Sequence, residues 1–515
     1  MRSAHLLLLL LGLLAVAIFI AGCTSGTPGL PHTNEAAAPP DISSNSDQWP
    51  LPNKDYSNSR SDISTPITTG NVKELQQVWS VPVAGAASNP LILDDMVYFQ
   101  DLESNVHAMY LSNGTEKWQM VYNRSVLGPN GVGAGWGMIY APAGRYDLVA
   151  LDRETGEEIW NTTLSDRSTV SISIQPVVFG ELVYVSTVAG GEGVQAAPGG
   201  GRGVIYALDA GSGRIVWEFD TVDSPDLWGN PSVNYGGGSY QPPGVDTVTG
   251  TIFFGTANSG PTPGTREYPN GASRTGPNLY TNSILALDGA NGSLRWTTQV
   301  YPHDLFNYGL SIPPILTRAN INGLEQDILV GAGKTGRIYA FNRSTGAILW
   351  ECVVGPHQND QLATLPPGST QVYPGGEGGF ETPMAFADGV VYAELIDMYA
   401  NYTPSGESVP PMSVAGGELV AVEADTGKIL WDKTFPSMGL GAATVVNDLV
   451  FTGAADGTFY ALDRRTGVTV WTYEFDPGLT GWPAISGDTM VVIGSVNQTP
   501  ALNAFRLPEN QGEKA

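Results

Sequence analysis

The chain has 515 residues and carries 50 Asp+Glu against 24 Lys+Arg, a formal net charge of −26. An acidic field of that size repels phosphate backbones and anionic membrane surfaces, which argues against nucleic acid as a partner. Gly (64) and Pro (37) are abundant, yet 42% hydrophobic residues suffice for a core, and two cysteines, Cys23 and Cys352, are too few for a disulfide framework, a Cys-rich zinc site or a covalently attached c-type haem. Any electron carrier is therefore non-covalent or external.

Arg2 precedes an apolar run from Leu6 to Gly22, the order of charges and apolar residues in a secretory signal peptide. A plain N-terminal membrane anchor is the other reading of such a run. It ends at Ile20-Ala21-Gly22-Cys23, which resembles the prokaryotic lipobox, where cleavage before the cysteine frees its thiol for lipid attachment. That resemblance implies a signal peptide over 1–22 and a lipidated Cys23. Residues 24–48 are rich in Ser, Pro, Ala, Gly and Asn and read as a flexible tether, so residues 23–48 stand between the lipid and a single folded body over 49–515.

Within that body one pattern recurs seven times: Ala, an acid or amide two residues on, Gly at +6 and Trp at +10. The copies run Ala108 to Trp118, Ala150 to Trp160, Ala207 to Trp217, Ala286 to Trp296, Ala340 to Trp350, Ala421 to Trp431 and Ala461 to Trp471, with Tyr110 the one exception to the acid or amide. Short strands such as Leu182-Val183-Tyr184-Val185 precede most of them. Asp or Asn binds local backbone, Gly takes the left-handed turn position, and Trp opens the next strand, which predicts a hairpin with a large ring wedged between neighbouring sheets.

Repeats of this length made of short antiparallel strands predict a β-propeller with almost no helix. The Gly-to-Gly intervals are 42, 57, 79, 54, 81 and 40 residues, so two repeats carry insertions of about 30 to 40 residues, which in repeat proteins tend to fall on the binding face. An eighth unit is predicted from Met490-Val491-Val492-Ile493 and Leu502-Asn503-Ala504-Phe505, closed by the N-terminal strand around Gln77-Val78-Trp79. The fold class is all-β, an eight-bladed β-propeller.

The seven-fold Ala-x-Asp-x-x-x-Gly-x-x-x-Trp pattern resembles the tryptophan-docking motif of quinoprotein dehydrogenases, eight-bladed propellers that bind pyrroloquinoline quinone (PQQ). The resemblance runs from about Trp49 to Leu507, and its most specific stretch is Gly276 to Ile284, continuing through Gln299 to Pro302-His303-Asp304. It implies PQQ and Ca²⁺ as cofactors, an alcohol or sugar as substrate and an external electron acceptor. Residue by residue, Glu192 and Asn258 are similar to the family's calcium ligands, Arg202 lies in the segment that accompanies the first of them, and Lys334 is similar to the basic residue at the quinone oxygens. The chemistry asks for these types, because a planar tricarboxylate quinone needs cations to hold its carboxylates and to polarise the carbonyl that accepts hydride.

The sequence also departs from that pattern. The position of the family's catalytic Asp is Asn307, which can ligate calcium but cannot act as a base. Asp304 is the acid left in this turn, open to a role as substitute base or as a cap of its own loop. The Trp expected beneath the quinone falls at Tyr240 or Gln241, and the Arg expected near Pro129-Asn130-Gly131 and the vicinal cysteine pair are missing. After Pro374 to Gly379, Phe380-Glu381-Thr382 stands where Asn-Trp is usual. A second function class therefore stays open: a propeller that has lost catalysis and serves as a protein-binding scaffold in the envelope, resembling the outer-membrane assembly scaffold lipoprotein.

Overall fold

The structure, a computed structural model, describes residues 37–508 except 87, 126–127, 166–167, 191–198 and 479–481. Strand dominates, the one α-helix among the described residues is the five-residue Pro40–Ser44, and no helix there is long and apolar enough to cross a membrane. The antiparallel strands group into eight sheets, each built on four strands. Typical is the sheet of Ile315–Ile321, Leu324–Ala332, Arg337–Asn342 and Ile348–Val353, paired in chain order. A separate small sheet of Thr370–Val372, Ala400–Thr403 and Gly406–Ser408 lies within the two long insertions' second member.

The predicted eighth set of strands pairs as expected. Ala484–Ser486, Thr489–Val496 and Thr499–Arg506 form three strands, and Gln76–Pro82 supplies the fourth in antiparallel register from Gln76 opposite Arg506 to Pro82 opposite Ala501. An early strand and the last strands of the described chain thus share one sheet.

The repeat motif has a plain physical cause. Each Trp lies on the Gly turn of the following copy: a Cβ on Gly346 would stand 2.4 Å from the Trp296 ring, and Gly346 has φ +74°, so both space and backbone demand glycine. The indole N–H then donates to a backbone carbonyl of that next unit, Trp296 to Arg343 O at 3.0 Å and Trp217 to Gly289 O at 2.8 Å. Trp79, outside the seven copies, does the same with Leu111 O at 3.0 Å. Trp471 has no such turn to follow it, because the closing sheet takes its outer strand from the other end of the chain, and it packs against Phe505 and Phe459 instead.

An element that sequence analysis missed organises the centre. Residues 41–60 touch the first strand of every sheet or the residues at its ends. Asp41 accepts from Trp136 N, Trp49 bridges Ile92, Tyr56 reaches Val178 O with its hydroxyl and takes Val245 N on its carbonyl, Ser57 O takes Leu316 N, Ser59 O takes Phe386 N, Arg60 O takes Val445 N, and the Arg60 guanidinium reaches Pro483 O. One short segment can meet eight first strands only if those strands converge on it. The residues just before the first strands therefore ring the same centre.

Arg60 fills the middle. It is wholly buried, and its donors go to Ala443 O, Asn53 Oδ1, Asn89 Oδ1, Thr444 Oγ1 and Pro483 O, between the rings of Trp49 and Trp482 at 5.7 and 6.0 Å. Among the described residues no carboxylate pairs with it, and burial alone lowers its pKa to about 9.

Candidate functional site

Above Arg60, the insertions and the turns between strands bring several of the predicted residues together. Lys334 follows the strand Leu324–Ala332, and its Nζ donates to Gly376 O at 2.8 Å. Asn307 donates its Nδ2 to the same carbonyl at 3.2 Å, so a residue from each of two distant turns meets on one acceptor. The approach is close because glycines line it: Lys334 N donates to Gly309 O at 3.1 Å, and a Cβ on Gly379, where φ is +82°, would stand 2.4 Å from Lys334 O. Asn258 adjoins the same turn, its backbone N lying 3.3 Å from where a Gly309 Cβ would be. Tyr240 feels the charges of Lys334, Glu377 and Glu381 and lies against Gly128 on the facing wall. Tyr240, Asn258, Asn307, Lys334, Glu377 and Glu381 are all half-buried.

Lys334 carries more than sequence analysis assigned to it. Glu381 lies 3.1 Å and Glu377 3.9 Å from its ammonium. Burial works against the charged form, but the two carboxylates outweigh it and the Lys334 pKa is raised. Burial likewise raises Glu381, offset in part by Lys334. The Phe380-Glu381-Thr382 departure thus places an acid beside the one basic residue, a contact that no spacing in the sequence reveals.

The other predicted residues take different places. Asp304 is fully enclosed: Oδ1 accepts from Phe306 N at 2.7 Å, Oδ2 from Tyr308 N at 2.6 Å and from Asn282 Nδ2 at 3.0 Å, and its carbonyl takes the buried Arg274. Burial raises its pKa. Of the two roles open to Asp304, these bonds are those of the loop cap, and what they shape is the turn that presents Asn307 at φ +68°, a left-handed position that Asn tolerates. His303 is spent on the backbone carbonyls of Gly276 and Asn270. Arg202 turns away from the cavity to Asp220 and to the carbonyls of Ser224 and Pro225. Glu192 and Cys23 lie outside the described residues.

Buried polar atoms without a partner mark where a polar ligand fits. Asn130 is 3% exposed and neither its Oδ1 nor its Nδ2 has a partner among the described residues; Gln241 Oε1 and Thr382 Oγ1 are in the same state. Each stands a few residues before a first strand, hence on the ring around the centre. An unpaired buried polar atom costs about 1–3 kcal/mol, so this lining is made for polar contents.

Known proteins share this fold. The family model described as "Glucose/ethanol/alcohol dehydrogenase, beta-propeller domain" matches residues 161–403, and that described as "Outer membrane protein assembly factor BamB" matches 69–202 and 334–504. The quinohemoprotein alcohol dehydrogenase of Comamonas testosteroni is 26% identical over 85% of this chain and 70% of its own length. The chain belongs to the PQQ-dependent alcohol dehydrogenase-like β-propeller family. The lanthanide-dependent methanol dehydrogenase of Methylacidiphilum fumariolicum is also 26% identical, over 85% of this chain and 82% of that protein. The solved structure of quinohemoprotein alcohol dehydrogenase ADHIIG from Pseudomonas putida HK5 superposes with a TM-score of 0.80 at 20% identity, covering 92% of this chain and 82% of that one, a likeness of fold.

Proposed function

We propose that the chain is an exported quinoprotein dehydrogenase, anchored by lipid on Cys23, whose eight sheets are the blades of an eight-bladed propeller and which oxidises an alcohol with electrons passed to an external acceptor. The observation that carries this reading is the meeting of Lys334, Asn307 and Asn258 on one cavity wall beside Tyr240, in a ring whose Asn130, Gln241 and Thr382 lack polar partners. PQQ, held with a divalent cation, would supply the hydride acceptor. Asn258 and the Oδ1 of Asn307 would be the neutral metal donors, with Glu192 as the charged one; a single charged ligand would make for weak calcium binding. Lys334 would be the cation for the quinone oxygens, and Tyr240 the ring that packs on it.

The chain's own residues must also take the alcohol proton. Asn307 cannot, and Asp304 has both oxygens engaged by its loop. We assign the proton to Glu381, the carboxylate 3.1 Å from Lys334, whose pKa burial raises and Lys334 in part offsets. Asp304 then acts as a positioning residue for Asn307.

Titration calorimetry of the full chain with PQQ, with and without Ca²⁺, tests the reading. Calcium-dependent binding in the micromolar range or tighter is expected; no heat and no thermal stabilisation at excess quinone would overturn it. The scaffold reading has one observation in its favour, the neutralisation of Lys334 by Glu381, and it takes over in that event.

A further inference from the structure

We propose that Arg274 is a positioning residue for the metal: its guanidinium ties together the two turns that carry Asn258 and Asn307, and through them it sets how tightly the cation is held. The inference rests on the dehydrogenase reading above. Arg274 is wholly buried. Its Nη2 donates to the carbonyl of Asp304, the residue whose carboxylate accepts from Phe306 N and Tyr308 N and so shapes the turn that presents Asn307. Its Nη1 donates to Asn278 Oδ1 at 2.7 Å, and the same oxygen accepts from Ser259 Oγ at 3.3 Å. Ser259 is the neighbour of Asn258 and orients it: Asn258 Nδ2 donates to Ser259 O at 3.2 Å, which leaves the Oδ1 of that amide for a cation, as the bond from Asn307 Nδ2 to Gly376 O leaves the Oδ1 of Asn307.

A buried charge is a costly way to fill space, and here it brings something no neutral side chain has. The guanidinium offers five donors in one rigid plane. Besides Asp304 O and Asn278 Oδ1, Nε and Nη2 reach Pro261 O at 3.4 and 3.3 Å, two residues beyond Ser259, so one group spans three acceptors on three segments. Burial lowers its pKa to about 10 and the Asp304 charge opposes that, so the fork stays protonated at neutral pH. Lysine, a single point charge on a flexible stem, cannot hold all three.

Terbium is the probe, because it takes calcium-type oxygen ligands and its luminescence lifetimes in H₂O and D₂O count the waters on the ion. Titration of the full chain in the presence of PQQ should show a bound ion. Arg274→Lys keeps the charge and loses the fork; it should weaken that binding by at least about tenfold and add water to the ion as an amide oxygen leaves it. Ser259→Ala leaves the guanidinium in place and should cost about threefold, again with added water. Arg60→Met is the control, since it loosens the fold without touching these ties and should leave the hydration of the ion unchanged. Unchanged hydration in Arg274→Lys and Ser259→Ala, or the same change in Arg60→Met, would overturn the positioning role; should Arg274→Lys fail to fold, Ser259→Ala decides alone. No terbium bound by the unchanged chain would overturn the metal-bound quinoprotein reading itself, and this inference with it.

Discussion

Two cations, Arg60 and Lys334, are held in opposite ways. Arg60 has no carboxylate, yet neutral acceptors take its donors and two indole rings cover its faces. Lys334 has carboxylates in excess, stands in a half-exposed cavity, and has unpaired polar atoms for neighbours. A group whose hydrogen bonds are complete at no net attraction is there to join the strands around it. A group surrounded by unbalanced charge and unmet donors is arranged for something the chain does not itself contain. Arg60 is structure; Lys334 is where the proposed site lies.

Breaking the Arg60 contacts should have the largest effect. Arg60→Met leaves several buried carbonyl and amide oxygens without donors, at about 1–3 kcal/mol each, so the urea midpoint should fall by the equivalent of 3 kcal/mol or more; a loss under about 1 kcal/mol would deny Arg60 its joining role. Next comes Gly379→Ala. A methyl there is strained by φ +82° and meets Lys334 O, so about 2 kcal/mol of stability and a measurable loss of PQQ affinity should go together; loss of stability alone would separate the turn from the site. Lys334→Met should do the reverse, weakening PQQ binding at least tenfold while costing little stability at pH 5.

The same variant sharpens the contrast through pH. A carboxyl whose folded pKa is raised contributes stability that is full below its unfolded pKa and is lost as pH rises toward the folded value. Removing Lys334 raises Glu381 further, so the drop in melting temperature from pH 5 to pH 8 should widen relative to the unchanged protein. Behind Lys334, Asp360 works with the opposite sign: burial pushes it up, but His357 and Arg337 outweigh that and hold it at about 2, so its contribution persists above pH 4 and disappears between about pH 4 and pH 2. Arg337→Met should shrink that acid-side step, with His357 left to hold the remainder. The smallest effect on stability belongs to Asn307→Asp, within about 0.5 kcal/mol, which should raise alcohol oxidation in the PQQ-loaded enzyme if the missing acid limits it; unchanged turnover would point to Glu381 as sufficient.

The repeat could be read from sequence because its cause is local. Gly346 must be glycine for its own φ and for the ring of Trp296, and such constraints recur at fixed spacing. The central segment could not, since Asn53, Asn58 and Arg60 sit in a polar stretch without periodicity, and their partners are Asn89, Pro314 and Ala443, distant in sequence. At the site, Lys334, Asn258 and Asn307 were legible by resemblance. Glu381 was visible only as a departure from the pattern, because nothing in its sequence records its approach to Lys334.

The pairing of Gln76–Pro82 with Thr499–Arg506 has a temporal consequence. A strand made among the first must wait for one made among the last, so the ring is a contact of extreme sequence separation and forms late and slowly. Until then Gln76–Pro82 is an open edge. Truncation just before residue 499 should therefore leave a chain that collapses and aggregates through that edge, not one that is merely a strand shorter.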